Sequence, residues 1–356
     1  MNEITYKLGI WFDQNHRDLP WRRTRDAYRI WLSEIILQQT RVVQGWDYYL
    51  RFEKEFPTVE ALADAPLDKV LKLWQGLGYY SRARNLHAAA RQVVAKHREA
   101  KMEGEVQFPT RYAELLELKG VGRYTAAAIA SLSQDEKVAV VDGNVYRVLS
   151  RLFDIDTPID TGKGQREFQA LADQLLDDEV NLNHGTPSRH NQAMMEFGAL
   201  HCTPTSPLCD TCPLAGHCLA RAHGDTEIRP VKQGKVKIRE RHLHYIIYIY
   251  KECLWVHQRA AGDIWQGLWE FVVHEGDMVS NDVDGIEILK MKHQLTHQTL
   301  YADFWVVKLP DDADPMTNGM IQALPDDYRP MTWMEWQQCA VPRLIDEANK
   351  RLSAWF

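Results

Sequence analysis

Four of the six cysteines in this 356-residue chain lie between positions 202 and 218, so a cluster of thiols is the first candidate for chemistry. Six, two and five residues separate successive members of the cluster, which are Cys202, Cys209, Cys212 and Cys218. Clustered thiolates bind soft metal centres. Their spacing matches neither the paired knuckles of structural zinc sites nor the pattern of ferredoxins, so spacing alone leaves both zinc and an iron-sulfur cluster open.

One acid lies within a strongly apolar helical stretch, YRIWLSEIILQQT. Glu34 has Trp31 and Ile35 as near neighbours in that stretch. An acid in such a pattern can occupy the solvent-facing side of the helix. If its carboxyl group is buried instead, its pKa is raised, and a general acid at neutral pH needs that property. Glu34 is therefore a candidate proton donor.

A second acid, Asp142, follows the apolar run VAVV and precedes another helical pattern in VVDGNVYRV. Aspartate before an amphipathic run commonly caps the N-terminus of the helix. A capping carboxylate that faces a cleft can also stabilise positive charge that develops on a substrate. Both roles are open for Asp142 from its position alone.

Two glycines, Gly120 and Gly122, separate the end of one predicted helix from the start of the next in LKGVGRYTAAAIA. Glycines permit a tight turn and leave backbone N–H groups uncovered at a helix N-terminus, where the helix dipole attracts a phosphate. An ordinary helix-to-helix turn would have the same short sequence. Asp142 follows Gly120 by 22 positions.

Two kinds of structure must position these residues. Up to about residue 220, apolar residues recur three and four positions apart, which predicts helices throughout. The pattern then changes to the short β-rich runs HYIIYIY, CLWVHQR, GLWEFVV and YADFWVVKL, followed by a predicted helix in PRLIDEANKRLSAWF. We therefore predict a multidomain chain with an all-α domain (1–220) that includes the cysteine loop (201–218), a basic linker (221–241) and a smaller α+β domain (242–356).

Composition limits the function classes. The net charge of −7 argues against unspecific binding of polyanions over the whole surface. Residues 229–241 contain six basic residues against one acid, which predicts a solvated linker or a phosphate contact. No apolar run approaches twenty residues and no signal-peptide pattern is present, so we expect a cytoplasmic protein without a membrane partner. In that compartment clustered thiols favour metal ligation, and the isolated Cys253 and Cys339 should be packing residues.

The stretches LKGVGRYTA and VDGNV, in this order, resemble the helix-hairpin-helix superfamily of DNA glycosylases. The resemblance runs through residues 1–220 and implies a DNA phosphate contact at Gly120 and Gly122. The cysteine array resembles the 4Fe-4S loop of that superfamily, which implies one cluster, mainly structural, on the four clustered cysteines. The segment TPTSPL between the first two cysteines contains no Lys or Arg, so a phosphate contact there would use backbone amides and hydroxyl groups.

The segment SEIILQQT resembles adenine DNA glycosylases of the MutY type. The resemblance implies that Glu34 protonates the departing purine, that Asp142 faces the sugar, and that Tyr124 and Asn144 position these groups. It also implies further contacts with substrate. The matching positions are Trp21, Arg22, Leu37, Tyr124 and Gln192 in the adenine pocket, Gln39 and Thr40 facing the opposite base, and Leu77 and Tyr79 in the wedge that enters the base stack.

The C-terminal stretches WQGLWEFVV and HQLTHQTLYADF resemble the MutT-like (Nudix-fold) domain with which MutY proteins recognise 8-oxoguanine. That family usually has Phe-Ser-His in its recognition loop, whereas this chain has Leu295, Thr296 and His297. The resemblance implies that Thr296 and His297 contact the damaged base. The acidic helix of pyrophosphatases is missing, so the domain should recognise a base without hydrolysing nucleotides.

Tyr124 bears on the type of reaction. A glycosylase that also cuts the strand needs an amine to form a Schiff base with the sugar, and endonuclease III types carry lysine at this position. Tyrosine cannot form that imine. We therefore predict a monofunctional DNA glycosylase. The resemblance implies that it removes adenine paired with 8-oxoguanine, and also with guanine, from double-stranded DNA, and we expect a monomer.

Three other functional hypotheses compete with this prediction. The first is an endonuclease III type glycosylase and lyase that acts on oxidised pyrimidines, against which Tyr124 and the C-terminal domain argue. The second is a non-catalytic iron-sulfur DNA-binding module, which would not need both Glu34 and Asp142. The third is a zinc-dependent nucleotide hydrolase, which would need an acidic metal-binding helix that the sequence lacks.

Overall fold

The structure is a computed structural model that describes residues 2–101, 103–182, 184–234, 237–276, 284–310, 312, 319–322 and 324–356. Packing divides the chain into two compact units. We call Met1–Ala63 with Ala88–Gly234 the helical unit, and Asp64–His87 with Lys235–Phe356 the sheet unit. The predicted domain limits come from the sequence pattern, whereas these units are defined by packing contacts. The limits at 220 and 241 therefore stay a prediction.

Among the described residues before the sheet, helices are the regular structure. They are α1 (Asn2–Asn15), α2 (Ala27–Leu37), α3 (Val42–Glu55), α4 (Val59–Asp64), α5 (Leu67–Trp74), α6 (Ser81–Glu99), α7 (Tyr112–Leu115), α8 (Arg123–Gln134), α9 (Gly143–Leu152), α10 (Gly162–Asn181), α11 (Pro187–Leu200) and α12 (Leu219–His223), together with short 3-10 turns. No helix in the described part of the chain is both long and apolar enough to cross a bilayer.

Capping side chains fix where the functional helices begin. Asp26 caps α2 by accepting hydrogen bonds from the N–H groups of Tyr28 and Arg29, and Asp142 caps α9 by accepting one from Val145. Such caps satisfy N–H groups that have no partner within the helix and stabilise it by about 1 kcal/mol. Helix α2 is then buried almost all round, with only Arg29 and Leu37 less buried, and α9 buries most of its residues after the first turn.

A continuous core holds α1, α9, α10 and α11 together. Trp11 of α1 packs edge-on against Phe197 of α11, with ring centroids 4.9 Å apart, and Phe168 of α10 is fully buried nearby. The same cluster includes the partly buried Cys202 and Cys218. The helix that carries Asp142 and the start of the cysteine loop therefore share one core.

The sheet unit contains six described strands in one mixed sheet, in the order β4-β5-β1-β3-β2-β6. The strands are β1 (Arg239–Tyr250), β2 (Cys253–Gln258), β3 (Trp269–Glu275), β4 (Ile286–Gln294), β5 (Gln298–Lys308) and β6 (Arg329–Thr332). Strands β1 and β5 run parallel at the centre, and the other pairs are antiparallel. Helices α13 (Gly319–Gln322), α14 (Trp333–Gln338) and α15 (Arg343–Leu352) complete the unit.

Alternate residues of β1 and β5 build the main core of the sheet unit. Tyr245 and Phe304 stack with centroids 4.8 Å apart, and Phe271 packs against Trp336 of α14. Helix α15 adds the buried Leu344 to the same cluster. The final amphipathic stretch thus covers the sheet, as its sequence pattern predicts.

The helical first part and the sheet-containing C-terminal part are both present, as predicted. Strands β1, β2, β3 and β5 coincide with the four β-rich runs of the sequence. Strands β4 and β6 were not predicted. Both lie at the edges of the described sheet, and the charged, partly exposed residues of β4, IEILKMKHQ, give a weak hydrophobic pattern.

Ion pairs hold much of the predicted basic linker. Arg229 lies against Asp154 at 3.0 Å, and buried Arg241 donates to both Asp263 and Glu275. The interpretation of a wholly solvated linker is therefore wrong for these two arginines. Lys235 and Val236 of the predicted linker lie outside the described residues.

Candidate active site

Glu34 is buried on α2 although its carboxyl group is ionisable. The Tyr124 hydroxyl, at the start of α8, donates a hydrogen bond to Glu34 Oε2 at 2.5 Å. Burial raises the pKa of Glu34, and the charge of Asp142 adds to the rise, while the Tyr124 hydrogen bond and Arg22 oppose it, with a net value of about 7. A carboxyl group with this pKa is partly protonated at neutral pH and can donate a proton.

Asp142 combines a structural contact with exposure to the same cavity. Its Oδ1 accepts the Val145 N–H at 2.8 Å, and its Oδ2 accepts a hydrogen bond from Asn144 Nδ2 at 2.8 Å. Burial raises the pKa of Asp142, and these two hydrogen bonds oppose the rise. The carboxylate is therefore oriented by α9 and faces a space that a substrate can enter.

A cavity of about 750 Å³ in the helical unit contains both acids. Two carboxyl groups from helices far apart in sequence thus face one space, as cleavage of a glycosidic bond requires. The cavity also brings together other predicted residues. Those that line it are Trp21, Arg22, Leu37, Thr40, Tyr124, Asn144 and Gln192.

Two arginines of the cavity share a buried acid that the sequence analysis missed. Glu196 of α11 accepts hydrogen bonds from Arg17 at 2.6 Å and from Arg22 at 2.7 Å. Burial by itself would raise the pKa of Glu196, but the two guanidinium groups lower it to about 2. Glu196 therefore stays ionised and orients Arg22. Its place in the apolar stretch MMEFGAL is the same signal that singled out Glu34.

The rim of the cavity includes a strained turn after α2. Gln39 has a left-handed backbone with φ of 53°, which is uncommon for a residue other than glycine. Gln39 itself does not line the cavity, whereas Thr40 does. On the opposite wall Gln192 donates to the Ser188 hydroxyl at 3.2 Å, which fixes the direction of its amide.

The predicted glycine turn leads directly into the helix that carries Tyr124. Gly120 has φ of 78°, a conformation that glycine adopts without cost. Gly122 is the N-cap of α8, and no described side chain caps that helix. The first N–H groups of α8 therefore remain available for an anion.

The four cysteines surround one small cavity of about 30 Å³ in the helical unit. No three His, Cys, Asp or Glu side chains in the described chain are grouped as a single metal ion would need. Four thiols around one space form a donor set that suits an iron-sulfur cluster with a thiolate on each iron. Arg151 holds this loop by donating to the Thr203 carbonyl at 2.7 Å and approaches Cys202 Sγ at 3.5 Å.

Arg147 joins the cysteine loop to the acid pair. It donates to the Cys202 carbonyl at 2.7 Å, to Asn144 Oδ1 at 2.8 Å and to the Gly198 carbonyl at 2.6 Å. Asn144 in turn donates to Asp142. Sequence reasoning missed Arg147, because nothing in a basic residue on an amphipathic helix indicates a carbonyl partner fifty positions away.

The other predicted residues belong to the sheet unit. Tyr79 is 45% exposed and its hydroxyl lies 2.5 Å from the Thr296 hydroxyl, whereas Leu77 is only 6% exposed. Thr296 and His297 are exposed at the turn between β4 and β5, while Leu295 packs against the core of the sheet. The side chain that replaces the usual aromatic residue thus anchors this turn.

Comparison with known proteins defines the class. The HhH-GPD superfamily of base excision DNA repair proteins matches residues 32–174, and the iron-sulfur binding domain of endonuclease III matches residues 202–218. The helical fold, the two acids in one cavity and the cysteine loop define a helix-hairpin-helix DNA glycosylase with an iron-sulfur site. The cluster is 4Fe-4S, and the matched stretch contains Cys202, Cys209, Cys212 and Cys218.

The relatives of the chain define its family. It is 33% identical to an adenine DNA glycosylase of Buchnera aphidicola subsp. Baizongia pistaciae over 82% of both chains. It is 43% identical to the adenine DNA glycosylase of Homo sapiens over 62% of this chain and 40% of that protein. The chain belongs to the adenine DNA glycosylase family and is a DNA glycosylase.

Solved structures agree with this fold. A thermostable thymine-DNA glycosylase superposes with a TM-score of 0.53 at 26% identity, covering 62% of this chain and 95% of that chain. A trapped endonuclease III–DNA covalent intermediate superposes with a TM-score of 0.51 at 22% identity, covering 62% and 94%, and supports the fold alone.

Proposed function

We propose that the chain hydrolyses the N-glycosidic bond of adenine paired with 8-oxoguanine, and also with guanine, in duplex DNA. The observation that carries this proposal is the shared cavity of Glu34 and Asp142. The enzyme would act as a cytoplasmic monomer. Adenine is an undamaged base, so the enzyme must identify it by its partner in the opposite strand.

Glu34 would supply the proton that makes adenine a better leaving group. The adenine must first leave the base stack, at a cost of about a few kcal/mol that a mispair reduces. Tyr124 donates to Oε2 of Glu34, which would leave the other oxygen to carry the acidic proton to the purine ring. The cavity would receive the adenine between Trp21, Leu37 and Gln192.

Asp142 would face the sugar as positive charge grows at the anomeric carbon. Asn144 and the Val145 N–H hold its two oxygens, so the carboxylate needs little reorganisation when that charge appears. Water then completes the hydrolysis, with stabilisation by Asp142 either electrostatic or through a transient covalent bond. The 4Fe-4S cluster would stabilise the loop that Arg147 links to Asn144.

The sheet unit would recognise 8-oxoguanine through Thr296 and His297 as a MutT-like domain. The exposure of both side chains at one turn supports this role, and so does the mixed sheet with its central parallel pair. Tyr79, exposed beside Thr296, would enter the base stack. Leu77 is the less accessible of the two predicted wedge residues.

The test is a single-turnover assay of free adenine release from duplexes in which adenine faces 8-oxoguanine, guanine or thymine. We expect release opposite 8-oxoguanine and guanine, and none opposite thymine. Glu34→Gln should retain duplex binding while its rate falls on the order of 100-fold or more, because the amide cannot donate the acidic proton. A near-normal rate for this variant would remove Glu34 from the mechanism.

The endonuclease III type reaction has its own measurement. Tyr124 lies at the cavity where that reaction needs an amine, and none of the described residues that line the cavity is a lysine. We therefore expect no strand cleavage of a thymine glycol duplex. Efficient cleavage would replace the proposed reaction with the glycosylase and lyase alternative.

A further inference from the structure

The loop that carries Tyr79 has an unusual backbone. We call residues 75–80, QGLGYY, the wedge loop. Gly76, Gly78 and Tyr79 all have positive φ, at 98°, 74° and 47°. Tyrosine rarely adopts this conformation, so the surrounding contacts must stabilise it. Trp74 at the end of α5 donates from Nε1 to the Gly78 carbonyl at 3.0 Å, and within the loop the Gly76 N–H donates to the Tyr80 hydroxyl at 3.3 Å.

The exposed end of the wedge loop contacts the turn between β4 and β5. The hydroxyl groups of Tyr79 and Thr296 lie 2.5 Å apart. Gln294 braces this turn, because its amide donates to the Leu295 carbonyl at 2.9 Å and its Oε1 accepts from the Thr299 hydroxyl at 2.8 Å. Thr296 therefore sits on a rigid turn.

The start of the wedge loop is anchored by Lys72 in α5 and by Gln75, the residue that follows α5. Lys72 donates to the carbonyls of Gln337 and Cys339 at 2.7 and 2.8 Å, at the C-terminus of α14. A cation at this position satisfies carbonyls that have no partner within the helix and matches the negative end of the helix dipole. The Lys72 ammonium group thereby fixes the last turn of α5 to α14.

Gln75, the first residue of the wedge loop, makes two hydrogen bonds of opposite polarity. Its Nε2 donates to Asp346 Oδ1 at 3.1 Å, and its Oε1 accepts the Val341 N–H at 3.2 Å. Asp346 lies in the first turn of α15. An amide that both donates and accepts has one favourable orientation here, so Gln75 sets where the loop starts.

We propose that Lys72 and Gln75 are positioning residues that fix the wedge loop within the sheet unit, so that Tyr79 and Thr296 act as one element. Extrusion of adenine by the wedge and recognition of the opposite base would then be coupled. The coupling rests on the proposed function, because only that function assigns a role to Tyr79 and Thr296 in DNA. It goes beyond that function by assigning positioning roles to Lys72 and Gln75, whose hydrogen bonds are made within the sheet unit.

The first experiment needs no substrate. Hydrogen-deuterium exchange would be measured on the full-length chain and on Gln75→Ala and Lys72→Met, of which the second keeps the apolar stem of lysine. We expect faster exchange over 75–80 and, together with it, over 294–298. Gln258→Ala is the matched control, since it removes a hydrogen bond to Asp68 at the start of α5, away from the wedge loop.

The second experiment measures the coupling in function. Single-turnover rates of adenine release opposite 8-oxoguanine and guanine would be compared for the same variants. We expect Gln75→Ala and Lys72→Met to lower the preference for 8-oxoguanine about tenfold, as loss of a hydrogen bond or two would. Gln258→Ala should keep the preference. A merely structural role would lower both rates equally and leave their ratio unchanged.

A reciprocal substitution separates the hydrogen bond from general damage. Gln75→Glu places a carboxylate opposite Asp346 and should lower the preference. Adding Asp346→Asn restores a donor for that carboxylate and should recover it. The coupling would be overturned if Gln75→Ala left exchange at 294–298 unchanged. It would also be overturned if wild type is active and the variants have the same ratio of rates opposite 8-oxoguanine and guanine as wild type. Absence of adenine release from wild type would overturn the proposed function instead, while the exchange result still decides the coupling.

Discussion

The Tyr124 hydroxyl and the Glu34 carboxyl group form the contact on which the proposed chemistry depends. Burial raises the pKa of Glu34 to about 7, and the hydrogen bond from Tyr124 moderates that rise. Burial also raises the pKa of Tyr124 well above its usual value, so the phenol stays protonated and always donates. One residue thus tunes the acidity of the other without reacting itself.

The excision rate should depend on pH through this pair. Only protonated Glu34 can donate, so we expect the single-turnover rate to fall as the pH rises through about 7. Tyr124→Phe removes a hydrogen bond that lowers the pKa of Glu34, so the midpoint of this fall should move to higher pH. Tyr146→Phe, at a tyrosine that packs against Phe168, is the control and should not shift it. A midpoint that moves to lower pH would contradict this account.

Glu196 should contribute strongly to stability as well as to the orientation of Arg22. Glu196→Gln leaves two guanidinium groups without their buried carboxylate, so we expect the free energy of unfolding to fall by about 3 kcal/mol. Arg17 is 35% exposed, which places the effect at the lower end of the range for buried pairs. Chemical denaturation would measure it.

The matched control for this substitution is Glu3→Gln. Glu3 pairs with Lys7 on the exposed face of α1, where solvent screens the interaction. We expect little change in stability for that variant. Equal effects at both positions would show that the burial of Glu196 is not what gives its ion pairs their strength.

At the scale of elements, α11 positions several parts of the site at once. It carries Gln192 and Glu196, and Gly198 lies where α11 passes close to α9. A β-carbon at Gly198 would lie 2.7 Å from Asn144 Cβ and 2.8 Å from the Asn144 carbonyl oxygen. The glycine therefore permits the approach that places Asn144 beside Asp142.

Gly198→Ala should push α9 away from α11. We expect a loss of about 1–3 kcal/mol in stability from overpacking and a fall on the order of 100-fold in excision rate from displacement of Asn144. Gly162→Ala is the control, because a β-carbon there meets only the end of the Arg166 side chain at 3.6 Å. Circular dichroism melts and single-turnover assays on both variants would test this. A normal rate in Gly198→Ala would show that α9 tolerates the shift.

The sequence predicts whether a long segment is a helix or a strand better than it predicts which other segments that element contacts. The apolar period around Glu34 and the cap position of Asp142 predict α2 and the start of α9, because both are local signals. Their convergence on one cavity was supplied by the resemblance, since periodicity says nothing about contacts between residues over a hundred positions apart. Glu196 was overlooked although its pattern equals that of Glu34. The packing of residues 64–87 with the rest of the sheet unit has no local signal, because contacts of Lys72, Gln75 and Tyr79 join groups more than two hundred positions apart.

At the scale of the whole molecule, charge is distributed unevenly. The chain has a net charge of −7, yet the cavity that contains Glu34 is also lined by five arginines. These are Arg17, Arg22, Arg25, Arg41 and Arg147. A local positive field within an acidic protein favours binding of a polyanion at one place and disfavours it elsewhere.

Duplex binding should therefore depend on salt with a modest slope that reflects a small number of phosphate contacts. We expect the logarithm of the affinity to fall linearly with the logarithm of salt concentration, and Arg41→Gln to reduce that slope by about one. Lys137→Gln is the control, because Lys137 pairs with Asp177 and does not line the cavity. Fluorescence anisotropy at several salt concentrations would measure the slopes. Equal slopes for Arg41→Gln and wild type would exclude Arg41 from phosphate contact.

The arginines that line the cavity also determine the state of the DNA product after the base is removed. All five are guanidinium groups, which remain protonated and do not condense with aldehydes. A sugar that has lost its base would therefore be released within an uncut DNA strand. In the proposed reaction this abasic site damages the genome until a separate nuclease incises the strand beside it. The benefit of removing the adenine therefore depends on prompt transfer of the abasic site to that second enzyme.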